Sequence, residues 1–455
     1  MNKVFFYVLF VAVAIAASSL LPFNFSQILS IGVFFAIIGG TLFFWDFRLA
    51  FALTGLGVLL TTGLLSVPSI IEFAGLDIIL FLIAMMILIG FLEENRFFEH
   101  IVERIVSLAG TNAYLLVAAL MVTACVFAGL VDEVTSVLFM TVTGLHIAKR
   151  AKINPHGLVM MIVFATNIGS CATVVGNPIG VMIALRARYS FFDFLTWASP
   201  VAALCLMATI ALCFLFFRKD IEALGKYLAD HPRSLESIAR EDAVHPKWLT
   251  LGWCLFLGTI GLLAMHSQLE HLLNLEKNTL LLAIPFFAAG VTLFVHNAKA
   301  RDLVMKRVDW WTLCFFLILF ATVGTLKHAG VSQVVAQSML SLLHRSQFLV
   351  WGVFNGTAAI LTAIMDNVLV VATYIPIVEE LSKAGVATAK LWWGLLFSAT
   401  LFGNATLIGS TANIVALGVL DREGHRPMGF WEWFKPGIVI STVTLSIALG
   451  FLYLR

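Results

Sequence analysis

Charge is what this chain has least of. Of its 455 residues only 12% are Asp, Glu, Lys or Arg, whereas 60% are hydrophobic. Soluble domains carry about 25% charged residues, so an ordinary soluble protein is excluded and an integral membrane protein is indicated. The formal net charge is only +2, and no basic tract with interleaved aromatics occurs, which argues against nucleic acid as a partner. The six cysteines (Cys125, Cys171, Cys205, Cys213, Cys254, Cys314) lie in apolar runs without CxxC or His-paired spacing. They read as small buried hydrophobes. Neither HExxH nor GxxxxGK[ST] occurs, so zinc proteolysis and ATP-driven pumping have no motif. Neither enzymatic activity nor a cofactor is expected.

What the chain does contain is apolar runs of the length that crosses a ~30 Å hydrocarbon core as helices. They lie at 3–21, 27–45, 48–66 and 76–92. Lys3, the first run and Ala16-Ala17-Ser18 resemble a secretory signal, but the run continues through Leu21, which favours a retained first span. Residues 93–108 set Phe97, Phe98, Ile101, Val102, Ile105 and Val106 in one stripe among charged residues, the pattern of a helix lying in the interface. Residues 113–148 are too long for one straight span and carry acids in the middle, so a re-entrant hairpin with its tip at Gly129–Thr135 is expected.

Residues 156–187 are interrupted by Gly176-Asn177-Pro178-Ile179-Gly180. Proline removes a helix donor and glycine frees the backbone, so a broken helix is expected here. A span at 191–217 closes the first half. The polar stretch 218–247 reads as a cytoplasmic linker. Then come scaffold spans within 248–345, a second hairpin and second broken helix at 348–420, and a last span at 430–453. The expected fold is therefore all-α: about eleven membrane crossings, two of them broken, plus two re-entrant hairpins. Most Lys and Arg fall on loops of one side if the N-terminus is cytoplasmic, which sets the expected orientation in a cell (inner) membrane.

The halves repeat. An offset of 234 pairs Gly90 with Gly324, Asp132 with Asp366, Lys149 with Lys383 and Gly169 with Gly403. After one deletion Thr173 pairs with Thr406 and Gly176 with Gly409, and Trp197 and Pro200 later match Trp433 and Pro436. Residues 1–217 thus form a first repeat with an extra N-terminal helix (scaffold 1–112, hairpin and broken helix 113–187), and 248–455 form the second. An odd number of crossings lies between the hairpins, so the repeats have opposite topology. Inverted repeats with broken helices at the midplane are the signature of secondary transporters.

The chemistry sits at the tips. A charge at membrane depth is costly, so Asp132 and Asp366 are functional candidates by default. Their oxygens suit a hard cation or a proton, Na+ or H+; equally, each aspartate could simply cap the arm that follows it. Glu133 adds charge to the first tip, beside Thr135, where the second has neutral Asn367. The breaks supply Thr166, Asn167, Gly169, Ser170, Thr173 and Asn177, and Asn404, Thr406, Ser410, Thr411 and Asn413. Unwound carbonyls suit cations and helix N-termini suit anions. No Lys or Arg falls within an expected membrane core, which leans towards a cation as substrate.

Those tips and breaks resemble the ion transporter superfamily, in the branch of arsenite permeases, NhaD-type sodium/proton antiporters and citrate-transporter-like permeases. The resemblance rests on Leu130-Val-Asp132-Glu133-Val-Thr135, Asn167 through Pro178, Met365-Asp366-Asn367 and Gly403 through Asn413. It implies a dimerising scaffold and a transport unit of hairpins and broken helices that moves like an elevator in the bilayer. Two departures stand out: Asp-Glu at the first tip where Asp-Asn is usual, and Gly176-Asn177-Pro178-Ile179-Gly180 where the antiporters have Gly-Asp-Pro-Pro-Asn. The expected function is a secondary active transporter, a Na+/H+ antiporter. The alternative is a Na+- or H+-coupled permease for a small carboxylate or oxyanion. A remote alternative, an intramembrane aspartyl protease, would need both aspartates on one water, which hairpins entering from opposite sides do not favour.

Overall fold

A computed structural model describes residues 3–20, 22–231, 246–344 and 346–454, and all regular structure among them is helical. The order begins α1 (Lys3–Ser19), α2 (Phe25–Phe43), α3 (Arg48–Thr61), α4 (Val67–Phe73), α5 (Leu76–Glu94) and α6 (Phe97–Ala109). The first hairpin is α7 (Ala113–Leu130) and α8 (Glu133–Ala151). The first broken helix is α9 (His156–Ser170) and α10 (Pro178–Ala187), followed by α11 (Phe191–Phe216) and α12 (Arg218–Asp230). The second half runs α13 (Pro246–Leu273), α14 (Thr279–His296), α15 (Ala300–Arg307), α16 (Trp310–His328) and α17 (Val331–Leu342). Its hairpin is α18 (Gln347–Ile364) and α19 (Asn367–Lys383), its broken helix α20 (Ala389–Leu401) and α21 (Thr411–Arg422), and α22 (Phe430–Leu454) ends it.

Nine of these helices are long and apolar enough to cross a membrane, the hairpin arms α7 and α18 among them; α1, α3 and the halves of the broken helices are shorter, so the span expected at 48–66 is only a 14-residue helix ending at Thr61. From α5 and α16 onward the two halves repeat element by element, with α6 matching α17 and α11 matching α22.

Contacts divide the chain into two units. The first comprises Met1–Ile83, Val308–Ala358 and Val368–Trp392, the second Ala84–Arg307, Ala359–Asn367 and Trp393–Arg455. In the first, α16 packs on α2, α3 and α4. Gly324 lies against Phe73, where any Cβ would overlap the ring. Arg48 reaches from α3 to Thr312 (2.9 Å) and stacks over Trp45.

In the second unit α9 is the hub, buried along its whole length between α7, α8 and α11. A fully buried helix can be apolar all round, and α9 is apolar except where it carries the break residues. Its N-terminus is tied down by His156, whose Nδ1 lies 2.7 Å from Glu432 Oε1 at the start of α22. Arg426 bonds to both oxygens of the same carboxylate (3.1 Å each).

Two further segments differ from the sequence reading. The stripe on α6 is covered by protein at Phe97 and Phe98: Phe98 meets Phe127 and Phe139 of the first hairpin (5.4 and 5.5 Å), and Phe97 meets Trp253 (4.8 Å). A helical stripe marks a boundary between apolar and polar surroundings, and protein satisfies it as well as lipid. The polar stretch at 218–247 is not linker throughout. Its first thirteen residues form α12, which buries Ile221, Leu224 and Leu228 and packs on α7 and α8. Residues 232–245 lie outside the described chain.

Candidate transport site

All sixteen residues singled out at the tips and breaks fall in the second unit. At the first tip, only Val131 and Asp132 separate α7 from α8. Asp132 is extended (φ 179°, ψ 163°), and its Oδ1 accepts from the amides of Val134 (2.8 Å) and Thr135 (2.9 Å). This is N-capping, which satisfies amides a helix start leaves open and sets a negative charge at the favourable end of the dipole. The Thr135 hydroxyl lies beside the same carboxylate.

The next residue differs. Glu133 is 1% exposed, and its Oε2 has no hydrogen-bond partner. Its carboxylate faces the side chains of Ser170 and Asn177 and lies in electrostatic range of Asp132 and Asp366.

At the second tip Asp366 is 6% exposed and accepts a hydrogen bond from the Thr411 hydroxyl (2.6 Å), the first residue of α21. Asn367, 1% exposed, keeps an unpaired Oδ1.

The breaks are attached to the hairpins in the same way in both repeats. The Thr173 hydroxyl donates to the carbonyl of Gly129, and the Thr406 hydroxyl to that of Ala363 (2.6 Å). Gly129 and Ala363 are repeat equivalents, each three residues before its tip aspartate. The glycines make this approach feasible. A Cβ on Gly176 would lie 2.9 Å from the Ala128 carbonyl, closer than real Cβ atoms come, and one on Gly409 3.0 Å from the Thr362 carbonyl, tighter than nearly all real contacts. Gly169 is a crossing glycine: a Cβ there would overlap the Cys125 carbonyl of α7, so its role is close packing. The second halves start from equivalent caps, Asn177 accepting from Gly180 N (2.8 Å) and Ser410 from Ala412 N (3.2 Å).

Between the breaks lies an amide knot. The Asn167 side-chain nitrogen donates to Oδ1 of Asn404 (2.7 Å) and of Asn413 (2.8 Å), while its oxygen accepts from Ser410 (3.0 Å). Asn413 Nδ2 turns back onto the carbonyls of Gly403 (2.9 Å) and Thr406 (2.8 Å). Asn404 Nδ2 donates to the Phe164 carbonyl (3.3 Å), and the Asn404 carbonyl accepts from Trp433 Nε1 (3.0 Å). All three asparagines are at most 1% exposed. Buried amides left unpaired would cost about 1–3 kcal/mol each, so this network holds the two breaks in a single arrangement.

Ser170 and Thr411 take more direct places than their mention among the polar break residues suggested. Ser170 accepts from Asn177 Nδ2 (3.0 Å), donates to the Asn167 carbonyl (2.9 Å) and faces Glu133. Thr166 bonds only within its own helix, to the Ile162 carbonyl (3.0 Å). The position of Thr411 directly after a Gly-Ser break was the signal available for it.

The arrangement gathers acids and amides around the breaks, without a Lys or Arg among the described partners of Glu133. The acids do not close into a three-ligand cluster of the kind that grips a metal, judged on the described residues.

This architecture has relatives. A family model described as citrate transporter (CitMHS) matches residues 47–397. The chain belongs to the CitMHS citrate transporter family. An uncharacterized transporter of Mycobacterium tuberculosis is 30% identical over 385 residues, covering 83% of this chain and 86% of the relative. The 46 kDa membrane protein of Mycobacterium leprae is 29% identical over 411 residues (89% and 93%). The human P protein is 23% identical over 457 residues, covering 85% of this chain and 54% of the relative. Among solved structures, the YdaH transporter of Alcanivorax borkumensis superposes with a TM-score of 0.54 over 88% of both chains at 15% identity. That likeness is one of fold. This CitMHS member is therefore a multi-pass membrane transporter.

Proposed function

We propose that this CitMHS protein is a secondary active transporter exchanging Na+ for H+, with Asp132, Glu133 and Asp366 as the acids that take up either cation. Glu133 carries the reading: a fully buried carboxylate with an unpaired oxygen, in range of two further carboxylates. Such a group is costly uncompensated, and its charge can be offset by a bound cation or a proton. The broken-helix carbonyls and the capped starts of α8, α10 and α21 complete a site in which backbone and acids share a small ion. Alternating access then moves the hairpin-and-break unit, in an inner membrane with the N-terminus cytoplasmic and, by resemblance, in a homodimer. In everted vesicles carrying the transporter, added Na+ or Li+ releases accumulated protons. Absence of that release at neutral and alkaline pH contradicts the proposal.

A second reading has its own support. The family model's description is a citrate transporter, and helix N-termini favour carboxylates. On this reading the tips bind the coupling cation and a small carboxylate sits at the amide ends. Uptake of labelled citrate that requires a Na+ or H+ gradient, without cation exchange in its absence, selects it.

A further inference from the structure

Beside the first hairpin runs a groove of about 690 Å³, walled by α6 on one side and α8 on the other. The two helices of this pair point the same way, because α6 turns back into α7 through three residues, with Phe98 at its start meeting Phe127 near the end of α7, and α7 turns back into α8 through two. The α8 wall is formed by Leu138, Thr143, His146 and Lys149 among others. At about 1.5 Å per residue, Leu138 to Lys149 spans about 16 Å, from close behind the tip to the basic last turn of α8. The opposite face of α8, with Met140, Gly144 and Ala148, is buried, Gly144 against Ile162 of α9. The groove side is therefore the one side of the hairpin arm left open along its length.

Its chemistry is not that of a lipid-facing furrow. Glu93, Glu99 and Glu103 line the other wall with Arg96, and clustered ionisable groups in a membrane protein face protein or water. Glu93 is paired with Arg307 (3.0 Å), and Asp132 lies within range of its charge. The inner end of the groove thus meets the tip electrostatically. Midway, the Glu99 Oε2 atom is sheltered from solvent and has no hydrogen-bond partner.

We propose that this groove is the water-filled access path by which a small cation reaches the Asp132–Glu133 tip from one face of the membrane, with Glu99 as the way-station along it. The cation identity rests on the Na+/H+ reading above; the path itself rests on the groove. Access lies along the hairpin arm, and the mixed charges that line it, Lys149 and Arg150 as well as Glu103, make it wet without trapping the ion.

The test is cysteine accessibility in a transport-competent background with the six native cysteines replaced. Leu138→Cys lies six residues beyond Asp132, and Val126→Cys, at an exposed position on α7, lies six residues before it. A membrane-impermeant, positively charged thiol reagent is expected to modify Leu138→Cys from one membrane face only, to leave Val126→Cys unmodified, and to reduce transport through the modified protein about tenfold or more. Thr143→Cys, on the same wall, gives the same answer if Leu138→Cys does not express. Glu99→Gln is expected to slow exchange severalfold without blocking the labelling. No reaction at either groove position, equal reaction at Val126→Cys, or full labelling with unchanged transport overturns the path. Labelling at the groove in a protein that moves neither Na+ nor H+ leaves the path standing and refutes the cation reading alone.

Discussion

At the first hairpin, Thr173 holds Gly129, Gly176 presses on Ala128, and Asn177 caps α10. At the second, Thr406 holds Ala363, Gly409 presses on Thr362, and Ser410 caps α21. Position for position these are the same joint, built twice. The tips they hold differ. The first has Asp132 followed by buried Glu133, the second Asp366 followed by Asn367, with Asp366 bonded to its own break through Thr411. Backbone architecture has thus been kept under a shared steric constraint while charge has diverged. That is the pattern expected where the joint serves the fold and the tip serves the cargo. The amide knot departs from symmetry as well: Asn167 of the first break receives no counterpart in the second, where Leu401 stands at the 234 offset.

The comparison breaks most visibly at the glycines. Gly176→Ala and Gly409→Ala each place a Cβ against carbonyl oxygens of two segments, so both are expected to abolish the detergent-stable monodisperse peak in gel filtration. If one is tolerated and the other not, the joints are not equivalent. Asn167→Leu comes next. It removes three side-chain hydrogen bonds and strands Asn404, Asn413 and Ser410, with an expected loss of about 3 kcal/mol, read as a lowered thermal midpoint. Thr173→Val and Thr406→Val should each cost about 1–2 kcal/mol and by the same amount, since each removes one hydroxyl bond to an equivalent carbonyl. Unequal losses would show that one break is more tightly held.

The smallest effect concerns Asp220 on α12, which approaches Gly157 at the start of α9. Burial pushes its carboxyl above the ordinary range, and the charge of Glu432 adds to this while His156 offsets part. Its ionised form is therefore disfavoured in the folded protein, and that stability is lost as pH rises through the raised value. Asp220→Asn is expected to raise the thermal midpoint at neutral pH by about 1 °C, with the gain vanishing in acid.

Much of this was written in the sequence because the signals are local. A proline beside glycines must break a helix, and an acid between two apolar arms must mark a turn or a site. The offset between Asp132 and Asp366 then ties the two halves together. What was not legible depends on who the neighbours are. The stripe of α6 was clear as a stripe, but nothing in Phe97 and Phe98 distinguishes an aromatic or aliphatic protein neighbour from lipid. Ile221, Leu224 and Leu228 at helical spacing hinted at α12, yet the surrounding charge masked them. The pairing of Asn167 with Asn404 and Asn413 joins residues about 240 positions apart, and single polar residues in apolar helices carry no mark of which partner they will find.

The central claim is that the tip acids carry the cation, and the most direct measurement is exchange by purified protein in proteoliposomes: Na+-driven proton efflux for the parent, Asp132→Asn, Glu133→Gln and Asp366→Asn, each checked for an unchanged thermal midpoint. The account predicts that all three folded variants lose exchange by about a hundredfold, the loss of about 3 kcal/mol of interaction with the ion. Parental exchange in folded Asp132→Asn and Asp366→Asn would contradict it.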